Sequence, residues 1–218
     1  QLAIGHANKD KYWITGTSDF MVGIGTTNPS SKVHLVGDAL VVGVITATNF
    51  AKADGSSLGG FSQDGDGNLL AGTNAGLAIT TASTSACFNL LFGCNAGCRI
   101  CSGDHNIVFG CHAGSRLTTG GYNILIGDRN GCKLTTAGSN VIIGCRAGNK
   151  VDTGSVNVIL GPESGAYICG GASNIIMGEC AAPGVTSGSC NIILGTRAMA
   201  SGNGSLNIMF GKNAGCSS

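Results

Sequence analysis

Along most of this chain the apolar residues come in threes, each triplet held between an Asn and a Gly. The segments NLLFG (89–93), NIVFG (106–110), NILIG (123–127), NVIIG (140–144), NVILG (157–161), NIIMG (174–178), NIILG (191–195) and NIMFG (207–211) all follow this rule. Successive Asn residues are 17 apart six times and 16 apart once. A longer pattern runs with them, N-Φ-Φ-Φ-G-x-x-A-G-x-x-Φ-T-T-G-x-x, where Φ is apolar. Its Ala position holds Ala96, Ala113, Ala147, Ala181, Ala198 and Ala214, and its later Φ holds Ile100, Leu117, Leu134, Val151, Ile168 and Val185. Seventeen residues are too few for a helix pair with its turns. They suit one coil of a β-solenoid: a strand, a Gly turn, a second short extended piece and another Gly turn. The fold class expected is therefore all-β, a parallel β-solenoid. Its equivalent residues stack about 4.8 Å apart, so eight coils make a rod roughly 38 Å long.

The triplets carry a further consequence. Side chains alternate faces along a strand, so Ile124, Leu125 and Ile126 must send at least one apolar group outward. Repeated over eight coils, that stripe becomes an apolar patch of a size monomers rarely expose. The economical cover is another copy of the same chain. The recurring Asn89, Asn106, Asn123, Asn140, Asn157, Asn174, Asn191 and Asn207 predict a ladder in which each side-chain amide bonds to the next. The sequence stops after another GKNAG with no polar capping unit, and solenoid ends need caps, so more protein is expected beyond it.

Composition agrees with strands and tight turns. Of 218 residues 38 are Gly, while charged residues make up 11% and aromatics 5%, too few for a core of large interdigitated side chains. A net charge of +1 predicts no whole-chain attraction to nucleic acid or anionic membrane. No apolar run approaches the ~20 residues of a membrane helix, so no membrane insertion is expected.

Candidate chemistry is best judged in register. Cys94, Cys98 and Cys101 have the C-x3-C-x2-C spacing of an iron–sulfur site. However, their slots hold Cys111, Asp128 and Cys145, then Ser115 and Cys132, then Thr118 and Thr135, in other coils. A cluster needs its thiolates at one place, and no other coil repeats the trio. The reading is of small, soft residues in stacked positions, mostly free thiols, and no cofactor. Cys111, His112 and His105 could be imagined around zinc, but the histidine slots are those of Tyr122 or Ser139 and of Arg129 or Arg146, which reads as surface. GIGTTNP (23–29) lacks the following helix that would hold a phosphate. Asp128, Glu163 and Glu179 fall just after the turn Gly, where solvated corners belong. No catalytic constellation emerges, and the chain is expected not to be an enzyme. The Thr118/Thr119 and Thr135/Thr136 pairs raise ice binding, but adjacent Thr point to opposite sides. One column invites a functional reading: Arg99, Arg116, Lys133 and Lys150 share a slot in four successive coils, either a solvated edge that blocks aggregation or a stripe for an anionic glycan.

Residues 1–60 lack the period and alternate β-rich runs with Gly, Asn-Pro and Asp-Gly turns. VGIGTTNPSSKVHLVGDALVVGVITATNF (22–50), followed by DGSSLGG (54–60), resembles shaft segments of bacteriophage tail fibres and related virion proteins, especially of marine cyanophages. Units such as NILIGDRNGCKLTT (123–136) resemble the repeats that follow in those proteins. They are similar, more distantly, to the N-x-A-I-G repeats of trimeric autotransporter adhesin heads. The organisation expected is a β-rich fibre shaft segment at 1–60 and a connector at 61–86 with a degenerate first repeat, GDGNLLAGTNAG (65–76). The solenoid then occupies 87–218. The resemblance implies a homotrimeric fibre on a virion, assembled in host cytoplasm and carrying a host-receptor-binding surface. Its partners would be two further copies of itself, other tail or virion proteins and a host surface glycan. It transfers no catalytic residue, and the H-x-H metal pair of some phage fibres is missing. A bacterial trimeric surface adhesin and a polysaccharide-depolymerising tailspike are the alternatives.

Overall fold

The structure, a computed structural model, describes residues 62–81, 85–199 and 202–216, together with four short strands nearer the N-terminus. The chain divides into two compact units, Gln1–Phe50 and Ala51–Ser218. In the first, β1 (Ala3–Gly5), β2 (Tyr12–Gly16) and β3 (Val22–Ile24) pair antiparallel in order, and β4 (Val33–Leu35) joins β3 in parallel. The rest of the 1–60 segment, including residues 25–29 of GIGTTNP and 54–60, lies outside the described residues.

The second unit is the solenoid. A short β5 (Ser62–Gln63) pairs antiparallel with β6 (Leu69–Ala71). From β6 onward every strand runs parallel to the last: β7 (Leu90–Phe92), β8 (Ile107–Phe109), β9 (Ile124–Ile126), β10 (Val141–Ile143), β11 (Val158–Leu160), β12 (Ile175–Met177), β13 (Ile192–Leu194) and β14 (Ile208–Phe210). Pairing keeps the repeat register, with Ile124 opposite Val141, Leu125 opposite Ile142 and Ile126 opposite Ile143. The degenerate unit at 65–76 is thus already part of the parallel sheet. Its Asn68 precedes Asn89 by 21 residues rather than 17, and a one-turn helix α1 (Leu77–Thr81) lies within that longer coil.

Three columns fill the interior. The middle residue of each triplet points inward: Leu91, Val108, Leu125, Ile142, Ile159, Ile176 and Ile193 are completely buried. Opposite them stand the Ala column and the later apolar column, Ile100, Leu117, Leu134, Val151, Ile168 and Val185, equally buried. Branched aliphatics and Ala together fill so narrow a coil without aromatics. The two outer residues of each triplet face outward, so the solenoid carries two apolar columns rather than the minimum of one. Ile143, Ile175 and Met177 are 37%, 40% and 41% exposed, and Phe92 stacks on Phe109 with ring centroids 4.9 Å apart.

The ladder Asn residues are buried polar groups with complete bonding. Asn140 donates from Nδ2 to Asn123 Oδ1 (3.1 Å) and to the Gly154 carbonyl (3.0 Å), while its Oδ1 accepts from the backbone N–H and the Nδ2 of Asn157 (2.9 and 3.1 Å). The scheme repeats from Asn89 to Asn191. Burial of an amide is tolerable only when its donors and acceptors are met, and here each coil meets those of its neighbour. At the N-terminal end Asp64 takes the place of a preceding Asn, accepting from the Asn68 N–H (2.9 Å) and Nδ2 (2.8 Å). The side-chain ladder therefore has a direction: each Asn amide donates to the Asn oxygen of the coil before it, and its second hydrogen goes to a carbonyl of the coil after it.

The corners impose their own residues. Gly127 sits at φ +136°, and a Cβ there would lie 2.6 Å from the Gly144 carbonyl oxygen. Only glycine allows coils to stack this closely. Two other corners place ordinary residues in the left-handed region, one column running through Asn95, His112, Arg129, Arg146 and Glu163, the other through Phe88, His105, Tyr122 and Val156.

Candidate functional site

The side chains with the most chemistry per coil lie beyond the triplets, on the face opened by the left-handed corner. Six positions after each ladder Asn the backbone turns through φ near +55°, placing His112, Arg129, Arg146 and Glu163 in one outward column. The next two residues turn inward as a small or polar residue and Gly (Ala113-Gly114, Asn130-Gly131, Ala147-Gly148), and the chain emerges four positions later at Arg99, Arg116, Lys133 and Lys150. Both columns stand on the same face, with Ser115, Cys132, Asn149 and Ala166 forming the floor between them.

Two cavities mark this space. One of about 550 Å3 is lined by Arg129, Arg146, Asn149, Lys150, Glu163, Ala166 and Tyr167. The other, about 330 Å3, is lined by His112, Ser115, Arg116, Arg129, Cys132 and Lys133. Arg129 borders both, so they are successive stretches of one groove running along the coils. The floor is tied to the walls: Asn149 Nδ2 donates to the Arg129 carbonyl at 3.5 Å, and the Cys132 thiol lies 3.4 Å from Asn149 Oδ1. Burial pushes the Cys132 thiol above its ordinary value, while the Arg116, Lys133 and Arg129 charges pull it the other way. That thiol therefore senses cations from both walls.

Charge balance at the groove is one-sided. Arg99, Arg116, Lys133, Lys150, Arg129 and Arg146 are half of the twelve Lys and Arg in a chain whose net charge is only +1. Among the described residues one ion pair forms, Arg146 Nη1 to Glu163 Oε1 at 3.6 Å, with both side chains half exposed. Asp152, a corner acid placed to offset the cations, instead accepts the Thr135 hydroxyl at 2.6 Å. The column of Lys150 ends where Tyr167 takes the next slot, and Lys150 Nζ sits 3.8 Å above that ring. Like charges stacked at the coil spacing repel, so the arrangement is one that an anion relieves.

The other candidate groups are dispersed. Cys94 is exposed at a corner, whereas the Cys98 and Cys101 thiols point to the Ser115 and Thr118 carbonyls of the next coil at 3.3 and 3.5 Å. All eleven cysteines are free thiols. Among the described residues no three His, Cys, Asp or Glu side chains gather as a metal site. His105 belongs to an exposed ring stack between Phe88 and Tyr122, with centroids 5.2 and 4.8 Å apart. Glu163 pairs with Arg146, and its carboxylate also lies 3.8 Å from the Cys180 thiol, which burial and the Glu163 and Glu179 charges push above its ordinary value. Thr118 is half-buried and donates to the Thr135 carbonyl at 3.0 Å, while Thr119 is exposed.

Sequence reasoning found one wall of the groove and missed the other. Arg129 and Arg146 were visible as a column by the same register argument, but nothing in linear order tells that positions four apart across an inward Ala-Gly pair share a face. No helix among the described residues is long and apolar enough to cross a membrane. Compared with known proteins, the chain matches no family model, no curated protein and no solved structure.

Proposed function

We propose that the chain is a non-enzymatic structural protein of a phage tail fibre or similar virion appendage, working as a homotrimer that projects a host-receptor-binding surface. The observation that carries this reading is the outward apolar face. Nine parallel strands at about 4.8 Å make a stripe roughly 40 Å long, with two columns about 7 Å apart. That is several hundred Å2 of aliphatic and aromatic surface, the scale at which soluble proteins bind something. A parallel partner copy presents the same spacing and the same flat columns, so the match is built in. Three copies, rather than two, rest on the resemblance of residues 22–60 to fibre shafts. Fully bonded Asn and backbone ladders supply the stiffness that a projecting element needs, and variable corners supply recognition.

Sedimentation or native mass measurement tests it. The expected species is three times 21.6 kDa, and Ile126→Asp and Ile143→Asp together should shift it toward monomer. A stable wild-type monomer would overturn the assembly. Incubation with host polysaccharide checks the chemistry, since release of new reducing ends would replace this reading with a depolymerising tailspike.

A further inference from the structure

We infer that the groove between the two cation columns binds a linear acidic polysaccharide lying along the solenoid, with about one acidic sugar unit per coil. This names the ligand class for the receptor-binding surface proposed above and rests on that reading.

The argument starts from spacing. Charged rows recur once per coil, about 4.8 Å apart, at Arg116 beside the His112 imidazole, Lys133 with Arg129, and Lys150 with Arg146. A linear pyranose polymer advances by about one ring per coil spacing, and its successive acidic groups turn to different sides, where a groove with charged side chains on both walls can meet them in turn. Other polyanions fit less well. Duplex DNA carries a charge every ~1.7 Å of its axis, far denser than the rows. Single strands hold to proteins by stacking bases on aromatics, and the one aromatic lining the groove, Tyr167, already has Lys150 over its face. An extended acidic peptide advances only about 3.3 Å per residue, well short of the coil spacing, so its alternating groups fall out of step with the rows within two coils.

The floor points the same way. Ser115, Cys132, Asn149 and Ala166 are small or polar, leaving room for a ring and offering Asn149 to hydroxyls. Glu163 terminates the cationic stretch at one end, so the groove has three charged rows from Arg116 to Lys150, a length of about three sugars, closed by an acid.

Oligogalacturonates from dimer to octamer are the probe, with neutral dextran oligomers and oligo-dT as contrasts, titrated into the wild-type assembly at low and high salt. Affinity should rise steeply up to about the trimer, then level, and fall with salt. Arg129→Asn and Arg146→Asn use a residue that this left-handed column already accepts at Asn95 and Asn213. Each should weaken binding about fivefold, and the pair together about 25-fold, while the melting curve stays unchanged. In the wild-type protein, saturating oligogalacturonate should slow alkylation of Cys132 severalfold and leave exposed Cys94 and Cys190 unaffected. Tighter binding of oligo-dT, equal binding of dextran, or unprotected Cys132 would each overturn the inference. Sedimentation of the same samples separates the two readings. A monomer that binds the acidic oligomer keeps the groove and loses the trimer, whereas a trimer that ignores it loses only the groove.

Discussion

The four coils from Asn89 to Val156 and the three from Asn157 to Leu206 have the same interior and different exteriors. Leu91, Val108, Leu125 and Ile142 continue without change of role into Ile159, Ile176 and Ile193, and the Asn ladder crosses the boundary with its bonds intact. Outside, Arg99, Arg116, Lys133 and Lys150 give way to Tyr167 and Gly184, and His112, Arg129 and Arg146 give way to Glu163 and Cys180. Within each 17-residue unit, then, some positions hold the coil together and others are free to specify what the coil meets. The two sets are interleaved in sequence and separate in space.

The largest effect should come from trespassing on the first set. Gly127→Ala forces a Cβ against the Gly144 carbonyl at a left-handed φ and should cost about 3 kcal/mol or more in denaturant unfolding. A Gly127→Ala protein as stable as wild type would break the division between the two sets. Asn140→Ala comes next. It strands buried groups of Asn123, Gly154 and Asn157 and should cost about 2–4 kcal/mol by the same measurement. Lys133→Gln, in the second set, should stay within about 0.5 kcal/mol of wild type. The converse experiment converts the later coils: Glu163→Arg with Tyr167→Lys extends both cation walls by one row, and the shortest acidic oligomer of maximal affinity should lengthen by about one sugar. Least in magnitude, Asp64→Ala should loosen only the first coil, by about 1 kcal/mol. Faster amide exchange at Leu69 and Leu70, with Leu125 unchanged, would show it.

Legibility in the sequence followed the same division. A parallel solenoid could be read because NΦΦΦG recurs in one register. The triplets announced an outward apolar face, although its two columns required knowing that only the middle residue turns inward. The direction of the Asn ladder was not readable, since an amide column is symmetric in print and only the fold shows Nδ2 donating toward the N-terminus. Helix α1 was hidden because LAITT matches no repeat and carries no capping signal. The second cation wall was hidden for a geometric reason: Arg129 and Lys133 face each other only because Asn130 and Gly131 dive into the core between them. Asn130 itself breaks the Ala column; its Nδ2 bonds the Ile142 carbonyl at 2.7 Å, and its Oδ1 is the one buried side-chain acceptor among the described residues left unmet.

The directional ladder has a genetic consequence. Every coil offers its successor the same acceptor that it took from its predecessor, so an in-frame duplication of one coil's codons inserts a unit already compatible with both neighbours. Deletion works equally well, and the 16-residue unit between Asn191 and Asn207, whose amide bond still closes at 2.9 Å, shows that even the count within a coil has slack. Whole coils can therefore be added or removed without any compensating change in the ladder. Reach along the solenoid axis is thus a property counted in coils.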